Sequence, residues 1–502
     1  MTDAQKVTIR FEPLGRTIEV PRGTPLHDAL FEQGVEFPCG GRGVCRKCRI
    51  RLLDGDLPVN EVQRRQLSAA ELSTGWRLAC QCTADEPMVI ELEQWNTSIL
   101  ADGNVLDLDK KAELGVAVDV GTTTLVAQIL DLRSGAVLAT EAALNPQARH
   151  GADIMSRINF ALHASGAQTL RELIRRQIGQ LLSNLIANCG CSALPLKAIH
   201  LVGNTAMHHL FGGQAIDALA RYPFETHRGA EIHWFAAEIE WQLAGNPETR
   251  FLPCLGGFVG SDILAGIMAV GMQHSKQPVG LIDLGTNGEI VIGNREHIMC
   301  ASTAAGPAFE GAQIGMGMRA TTGAIWKVYV RNSQLISEVI GGGTPRGICG
   351  SGLVDAIATG LDQQWIDKSG KILTPHRQIS LAAPVVLSQA DIRELQLAKG
   401  AIAAGMDILL RQMHLRAADI EKVYLAGAFG NYVSLPSATR IGLLNFHPDQ
   451  IEQAGNTALR GAKLSLLTGA EYRKVLPLVE HFPIARDPEF QELFAKNLQF
   501  PT

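Results

Sequence analysis

Three cysteines on one glycine-rich loop, FPCGGRGVCRKC, and a fourth further on are the residues best equipped for chemistry in the first hundred positions. Cys39, Cys45 and Cys48 follow a C-x5-C-x2-C spacing, and Cys80 comes after thirty-one intervening residues. Three thiolates from one loop and a fourth from a strand end form the ligand set of a 2Fe-2S cluster. Gly40, Gly41 and Gly43 let the loop curl and aim backbone N–H groups at cluster sulfurs, where side chains would block the approach. Arg42 adds positive charge nearby. Two alternatives stay open. Four cysteines can hold a structural zinc ion, although zinc sites usually arrange their thiolates as two close pairs. Cys82, two residues beyond Cys80, is an alternative fourth ligand.

A second kind of chemistry is written into two turns, Asp119-Val120-Gly121-Thr122 within LGVAVDVGTTTLVAQILDL and Asp283-Leu284-Gly285-Thr286 within GLIDLGTNGEIVIGN. Small residues after the Asp bring backbone N–H groups close to phosphate oxygens, and the carboxylate can hold Mg²⁺ or its waters. One such turn would be an ordinary tight strand connection. Two in order are more specific, because AIHLVGNTAMHHL and KVYLAGAFGNYV also echo each other, Leu201 and Gly203 matching Leu425 and Gly427. Two related halves, each opening on an Asp-bearing hairpin, predict two lobes facing a cleft.

Other motifs carry less. No G-x-x-x-x-G-K-[ST] loop is present, and Gly315, Gly317 and Ala320 match G-x-G-x-x-A without a preceding strand. PCLGGFVGSDILAG and RGICGSGLVDAIA read as glycine loops entering helices, with Asp262 placed where a carboxylate can order an attacking water. His208 and His209 are expected to point to different sides of a helix, as core and surface residues. Cys349 is expected to be a small loop residue.

These groups need scaffolds. KVTIRF and RTIEV predict a hairpin, and CRIRLL, WRLAC and MVIEL further strands of a small mixed sheet. Thr24, Pro25 and Gly34 read as the cap, first residue and stop of a helix over HDALFEQ. Residues 94–113 show no period and read as a linker. Beyond them, apolar strands alternate with helical stretches, an α/β pattern.

Composition agrees with several folding units: 502 residues, 46% hydrophobic, 19% charged. A net charge of -5 without a Lys/Arg block gives no footprint for nucleic acid or an anionic membrane surface. The start MTDAQKVTIRF lacks a secretory pattern, and no run of eighteen apolar residues occurs, so a cytoplasmic location is expected. Clustered cysteines in such a chain point to metal or catalysis before disulfides.

On its cysteine loop and strand pattern the first module resembles 2Fe-2S ferredoxins of the β-grasp family, its five-residue first gap looking like the adrenodoxin-like branch. On its two Asp-x-Gly-Thr hairpins and LAGAFGNYV, the remainder resembles the acetate and sugar kinase, chaperone and actin superfamily. That likeness implies an α+β ferredoxin domain over residues 1–95, a linker over 96–113, and a two-lobed α/β ATPase of ribonuclease H-like fold, lobes 114–277 and 278–502. It implies ATP and Mg²⁺ as cofactors. Asp119, Gly121, Thr122 and Thr123 would form the first phosphate loop, and Asp283, Gly285, Thr286 and Asn287 the second. Gly427, Ala428 and Gly430 would approach the adenosine.

The combination, in this order, resembles the reductive activators of corrinoid proteins, including those of corrinoid methyltransferase systems. This implies an electron passed from the cluster to an inactive Co(II) corrinoid on a partner protein, regenerating Co(I) with ATP as energy source. An upstream electron donor is then required, and a homodimer is compatible with the resemblance. The chain lacks D-x-H-x-x-G, the lower-ligand signature of many cobalamin carriers, so the corrinoid is expected on the partner. The short linker is expected to leave little room for the separate middle domain of longer members. Rival readings are an ATP-coupled donor to another enzyme, such as a 2-hydroxyacyl-CoA dehydratase, and a redox-sensing ATP-binding switch.

Overall fold

The computed structural model describes residues 6–12, 16–31, 43, 48–92, 113–151, 153–163, 165–191, 194–222, 224, 229–285, 287–430 and 432–501. Cys39, Cys45, Gly34, Gly40, Gly41, Arg42, Thr286 and nearly all of the expected linker lie outside the described residues. The chain divides into two compact units, one of Met1–Ile99 with Leu144–Ile174, the other of Leu100–Ala143 with Arg175–Thr502.

The first unit holds a five-stranded sheet. Strands β1 (Lys6–Glu12) and β2 (Arg16–Pro21) form the expected hairpin, because Val7, Ile9 and Phe11 alternate inward while their neighbours face out. A short β3 (Thr24–Pro25) precedes β4 (Arg49–Asp54) and β5 (Trp76–Leu78); β6 (Thr83–Ala84) pairs with β3, and β7 (Met88–Leu92) lies parallel to β1. The sheet order is β2-β1-β7-β4-β5. The helix is described over Leu26–Phe31, and its expected end at Gly34 lies outside the described residues. Thr24 and Pro25 belong to a strand pairing instead of a cap: the Gly23 and Leu26 N–H groups bond Ala84 and Cys82 carbonyls at 2.9 Å, and the Thr24 hydroxyl donates to Pro21 O at 2.6 Å. Leu144 and Ala148 pack against this module's apolar core, and Arg149 donates to Asp28 at 3.2 Å.

In the second unit, β8 (Leu114–Val120), β9 (Thr124–Asp131), β10 (Val137–Leu144), β11 (Leu196–Val202), β12 (Ile232–Phe235) and β13 (Glu248–Phe251) make a sheet of order β10-β9-β8-β11-β13-β12. A second sheet repeats the plan. It uses β14 (Val279–Leu284), β15 (Gly288–Gly293) and β16 (Ile298–Thr303). Smaller sheets intervene, from β17 (Ala324–Arg331), β18 (Gln334–Val339), β19 (Gly347–Ile348), β20 (Gln378–Ala382) and β21 (Val385–Ser388). The second sheet resumes with β22 (Lys422–Ala426), β23 (Ile451–Gly455) and β24 (Val479–His481), giving the order β23-β22-β14-β15-β16-β24. In each, an antiparallel hairpin lies beside a parallel strand, β8 next to β11 and β14 next to β22. Strands β8, β14 and β15 are almost wholly apolar, as strands covered on both faces must be.

The two sheets share one core. Residues of both, including Ala117, Val202, Leu281 and Val291, meet the helices Ser261–Val270 and Thr457–Leu467 in a single buried cluster. This shared packing holds the ends of β8 and β14 near each other, so two distant turns can act on one ligand.

Candidate functional site

In the first unit, Cys48 is 1% exposed and its carbonyl accepts the Ala79 N–H at 3.0 Å. That bond ties the end of the cysteine loop to the helical turn Ala79–Gln81 carrying Cys80. Cys80 is part-exposed, and the Gln81 side-chain amide donates to its sulfur at 3.6 Å. Cys82 is less exposed. It is buried in the apolar core, its thiol donates to Leu78 O at 3.4 Å, and burial pushes its pKa up to about 12. Gly43 has φ +72°, and a Cβ there would lie 2.6 Å from the Val62 side chain, so the position favours glycine.

In the second unit, the two hairpins set their carboxylates at equivalent places. Asp119, one residue from the end of β8, pairs with Val126 and with Val202; Asp283, one residue from the end of β14, pairs with Glu289 and with Ala426. Asp119 Oδ2 accepts the Asn456 side-chain N–H at 2.9 Å, and Asn456 also caps Thr457–Leu467 by accepting from Leu459 N at 2.8 Å. At the first turn, Thr122 Oγ1 accepts from Asn204 Nδ2 at 2.9 Å, and Asn204 in turn caps Thr205–Gly212.

Asp262 is delivered by a close backbone crossing. The Ser261 N–H donates to Gly203 O at 2.9 Å, and a Cβ on Gly260 would fall 2.2 Å from that oxygen. The helix Ser261–Val270 therefore starts against the strand-end turn, with Asp262 Oδ1 accepting from Ile263 N at 2.9 Å. Gly427, at φ +83°, lies against the other carboxylate, and a Cβ there would sit 2.5 Å from Asp283 Oδ1. Gly430 packs the turn Gly427–Gly430 onto Leu425 of its own strand.

Burial and neighbouring carboxylates raise the acids at these strand ends above the ordinary carboxylate range. Burial raises Asp119 to about 6, against a lowering by the Asn456 hydrogen bond. Burial, then Asp283 and Asp119, raise Asp262 to about 8. Burial and Asp119 raise Asp283 to about 7. Glu289 is raised well above the ordinary range by burial and by Asp262 and Asp283. Among the described residues no three Asp, Glu, His or Cys groups stand close enough to hold a metal ion by themselves. Oxygen ligands without a complete cage suit Mg²⁺, which keeps several waters and is shared with phosphates.

The remaining expectations divide. Cys349 is buried at the start of Gly350–Asp362, its thiol 3.4 Å from Ile325 O, as a small loop residue would be. His208 and His209 are both buried, at 0% and 5% exposure, so His209 is not a surface residue. Its Nδ1 lies 2.8 Å from Thr205 O, one turn back, which satisfies it inside the fold. Sequence reasoning missed Glu289, Asn456 and Asn204. For Glu289 a signal existed: one carboxylate in the otherwise apolar run GEIVIG.

Three family models match: the 2Fe-2S iron-sulfur cluster binding domain over 9–85, the RACo middle region over 114–275, and the C-terminal domain of RACo, the ASKHA domain, over 278–502. Corrinoid activation enzyme RamQ of Eubacterium limosum is 34% identical over 424 residues, 78% of this chain and 71% of that protein. The chain belongs to the family of corrinoid-protein activators. A further relative of this activator is the [Co(II) methylated amine-specific corrinoid protein] reductase of Methanosarcina barkeri, 26% identical and covering 77% of each chain. A solved reductive activator for corrinoid, iron-sulfur protein superposes with a TM-score of 0.69 at 26% identity, covering 99% of this chain and 98% of that one. The activator thus pairs a cluster-binding ferredoxin domain with an actin-like fold. The RACo middle region is matched not by the short linker but by 114–275, the stretch read from sequence as the first ATPase lobe.

Proposed function

We propose that this activator is a cytoplasmic, ATP-hydrolysing enzyme that passes single electrons to the Co(II) corrinoid of a partner protein, a corrinoid-binding or methyltransferase component. The observation that carries the reading is the joining, in one chain, of a cluster-binding domain to equivalent Asp119 and Asp283 hairpins at the ends of two repeated sheets. The described residues contain no helix long and apolar enough to cross a membrane.

Cys39, Cys45, Cys48 and Cys80 would hold the 2Fe-2S cluster. In favour of Cys80 over Cys82 are its exposure, its tie to Cys48 through Ala79, and the Gln81 N–H directed at its sulfur. The bound cluster supplies one electron, taken from an upstream reductant, to turn partner Co(II) into Co(I). Plant-type clusters lie near about -400 mV, and each further ~59 mV for one electron costs ~1.4 kcal/mol. Hydrolysis of ATP offsets such a gap.

Asp119 and Asp283 would share Mg²⁺ with the ATP phosphates, the backbone N–H groups of Gly121–Thr123 and of Asn287 would face phosphate oxygens, Gly285 would shape the second turn by donating its own N–H to Asn287 O at 3.1 Å, and Asp262 would stand by the attacking water. Asp262, Asp283 and Glu289 each stand in the field of neighbouring carboxylates, a repulsion that a cation would relieve, which supports a metal here. The test is anaerobic: activator, reductant and a corrinoid partner, with and without Mg-ATP, followed at the Co(I) absorption band. ATP-dependent Co(I), lost in Asp119→Asn and Asp283→Asn with the cluster spectrum unchanged, is expected. Equal Co(I) without ATP, under a donor no stronger than the cluster, sinks the coupling and favours a switch.

A further inference from the structure

The tetrapeptide Gly-Asn-Thr-Ala occurs twice, at 203–206 and at 455–458. The first copy follows β11 and opens the helix Thr205–Gly212; the second starts on the last residue of β23 and opens the helix Thr457–Leu467. In both the asparagine is the helix cap, Asn204 Oδ1 accepting from Met207 N at 3.0 Å and Asn456 Oδ1 from Leu459 N at 2.8 Å. A backbone N–H on the oxygen fixes which way each amide is turned, so the N–H₂ end faces the other side. There each meets the first Asp-bearing hairpin: Asn204 Nδ2 donates to Thr122 Oγ1 and Asn456 Nδ2 to Asp119 Oδ2, both at 2.9 Å. Gly203 permits the approach of the first copy, since a Cβ there would lie 2.7 Å from Val120 O. Capping by itself does not ask for asparagine, because serine, threonine and aspartate also cap. Of these residues only asparagine has an N–H₂ end, and both copies use it on the same hairpin.

The chemistry of the two acceptors gives these bonds a task. A hydroxyl oxygen that receives an N–H keeps its own hydrogen to give. Among the described residues no protein group accepts that hydrogen from Thr122, which is half-buried in the turn. We propose that Asn204 is a positioning residue for the nucleotide: by donating to Thr122 Oγ1 it turns the hydroxyl hydrogen towards a phosphate oxygen of Mg-ATP. Asn456 is its counterpart, engaging Asp119 Oδ2 and leaving Oδ1 to magnesium or its waters. This rests on the reading of the hairpins as an ATP site. Both asparagines act through a hairpin residue, and both are themselves held by the helix they cap. A donor ordered before the ligand arrives costs less to immobilise on binding, and a hydrogen bond to a charged phosphate is stronger than one between neutral groups.

The experiment uses the full chain with its cluster and measures Kd for Mg-ATP and Tm side by side. Asn204→Asp keeps the shape and the capping oxygen, but its second oxygen must accept from Thr122, which turns the hydroxyl hydrogen away from the ligand. Kd is expected to rise about tenfold, with Tm close to wild type because the cap remains. The added negative charge also repels phosphate, and Thr122→Val separates the two effects. In that background the hydroxyl is gone, and Asn204→Asp is expected to raise Kd by less than about threefold beyond Thr122→Val alone. An equal rise in both backgrounds means that charge alone acts, and overturns the role. If Asn204→Asp does not fold, Asn204→Ser, which caps without reaching Thr122, is read in the same cycle, with a rise of about threefold expected beside Thr122 and none beside Thr122→Val. An unchanged Kd in the variant that folds, whatever its Tm, shows Asn204 to be a cap alone and overturns the proposal while leaving the ATP site intact. Wild-type protein that does not bind Mg-ATP overturns the site itself.

Discussion

Asn456 donates its side-chain N–H to Asp119 at 2.9 Å across 337 positions of sequence, and the same side chain caps the helix that packs on both sheets. One residue thus couples a helix start in the second repeat to the carboxylate of the first. Asn456→Ala loses both bonds and is expected to cost about 1 kcal/mol of stability through the cap alone. Asn456→Ser keeps a capping oxygen but is too short to reach Asp119. Thermal melts should therefore separate Ala from wild type and leave Ser close to it, while Mg-ATP turnover falls in both. Full turnover in the Ser variant would show that the Asp119 bond has no part in the site.

The crowded carboxylates give a pH dependence with a definite sign. Asp119, Asp262 and Asp283 sit at about 6, 8 and 7 when folded, against about 3.9 in an unfolded chain. The folded protein therefore holds protons that the unfolded chain has shed, and these groups lose it stability as pH rises from about 4 to 8. Asp283→Asn removes one of the charges. Without nucleotide its Tm should exceed wild type at pH 8 by a few degrees, roughly 2–4 °C per kcal/mol relieved, and the gap should close towards pH 5. The buried histidines His200 and His208, lowered to about 4, act in the opposite sense as pH falls, but equally in both proteins. A gap that widens on acidification would contradict the assignment.

Gly427 offers a steric test. Gly427→Ala places a Cβ within 2.5 Å of Asp283 Oδ1 at φ +83°, so either the carboxylate or the strand-end turn must move. Gly271→Ala, at φ +70° with nothing within 4 Å, carries only the backbone strain, about 1–2 kcal/mol. Both are expected to lower Tm, Gly427→Ala the more because the clash adds to the strain. Only Gly427→Ala should weaken Mg-ATP binding, by tenfold or more in a titration.

At the cluster, anaerobically purified protein is expected to carry about two iron atoms and two sulfides per chain. Cys80→Ser should strip or reshape the visible spectrum. Cys82→Ser keeps a donor near Leu78 O and should leave the cluster intact at a modest loss of stability. Stoichiometric zinc without sulfide, or the reverse order of the two variants, would overturn the ligand set.

What the sequence determined by itself was local and repetitive. The cysteine spacing, the alternation of β1 and β2, and two Asp-x-Gly-Thr hairpins on apolar strands depend on neighbouring residues, so they could be read in order along the chain and pointed to a ferredoxin module followed by an actin-like fold. The helix start was misread at Thr24 because a pairing with Thr83–Ala84, some sixty residues away, outweighed local capping chemistry. Other features had no local trace. Asn456 against Asp119 needs the helix Thr457–Leu467 packed beneath the first sheet, and the meeting of Asp262 with Asp283 and Glu289 needs Gly260 to cross Gly203. Cys80 and Cys82 look equivalent in sequence, and only burial in the apolar core sets the second apart. Periodicity records which face of a strand or helix is buried, whereas the partners across the core follow from packing between segments hundreds of residues apart, and that only the tertiary structure decides.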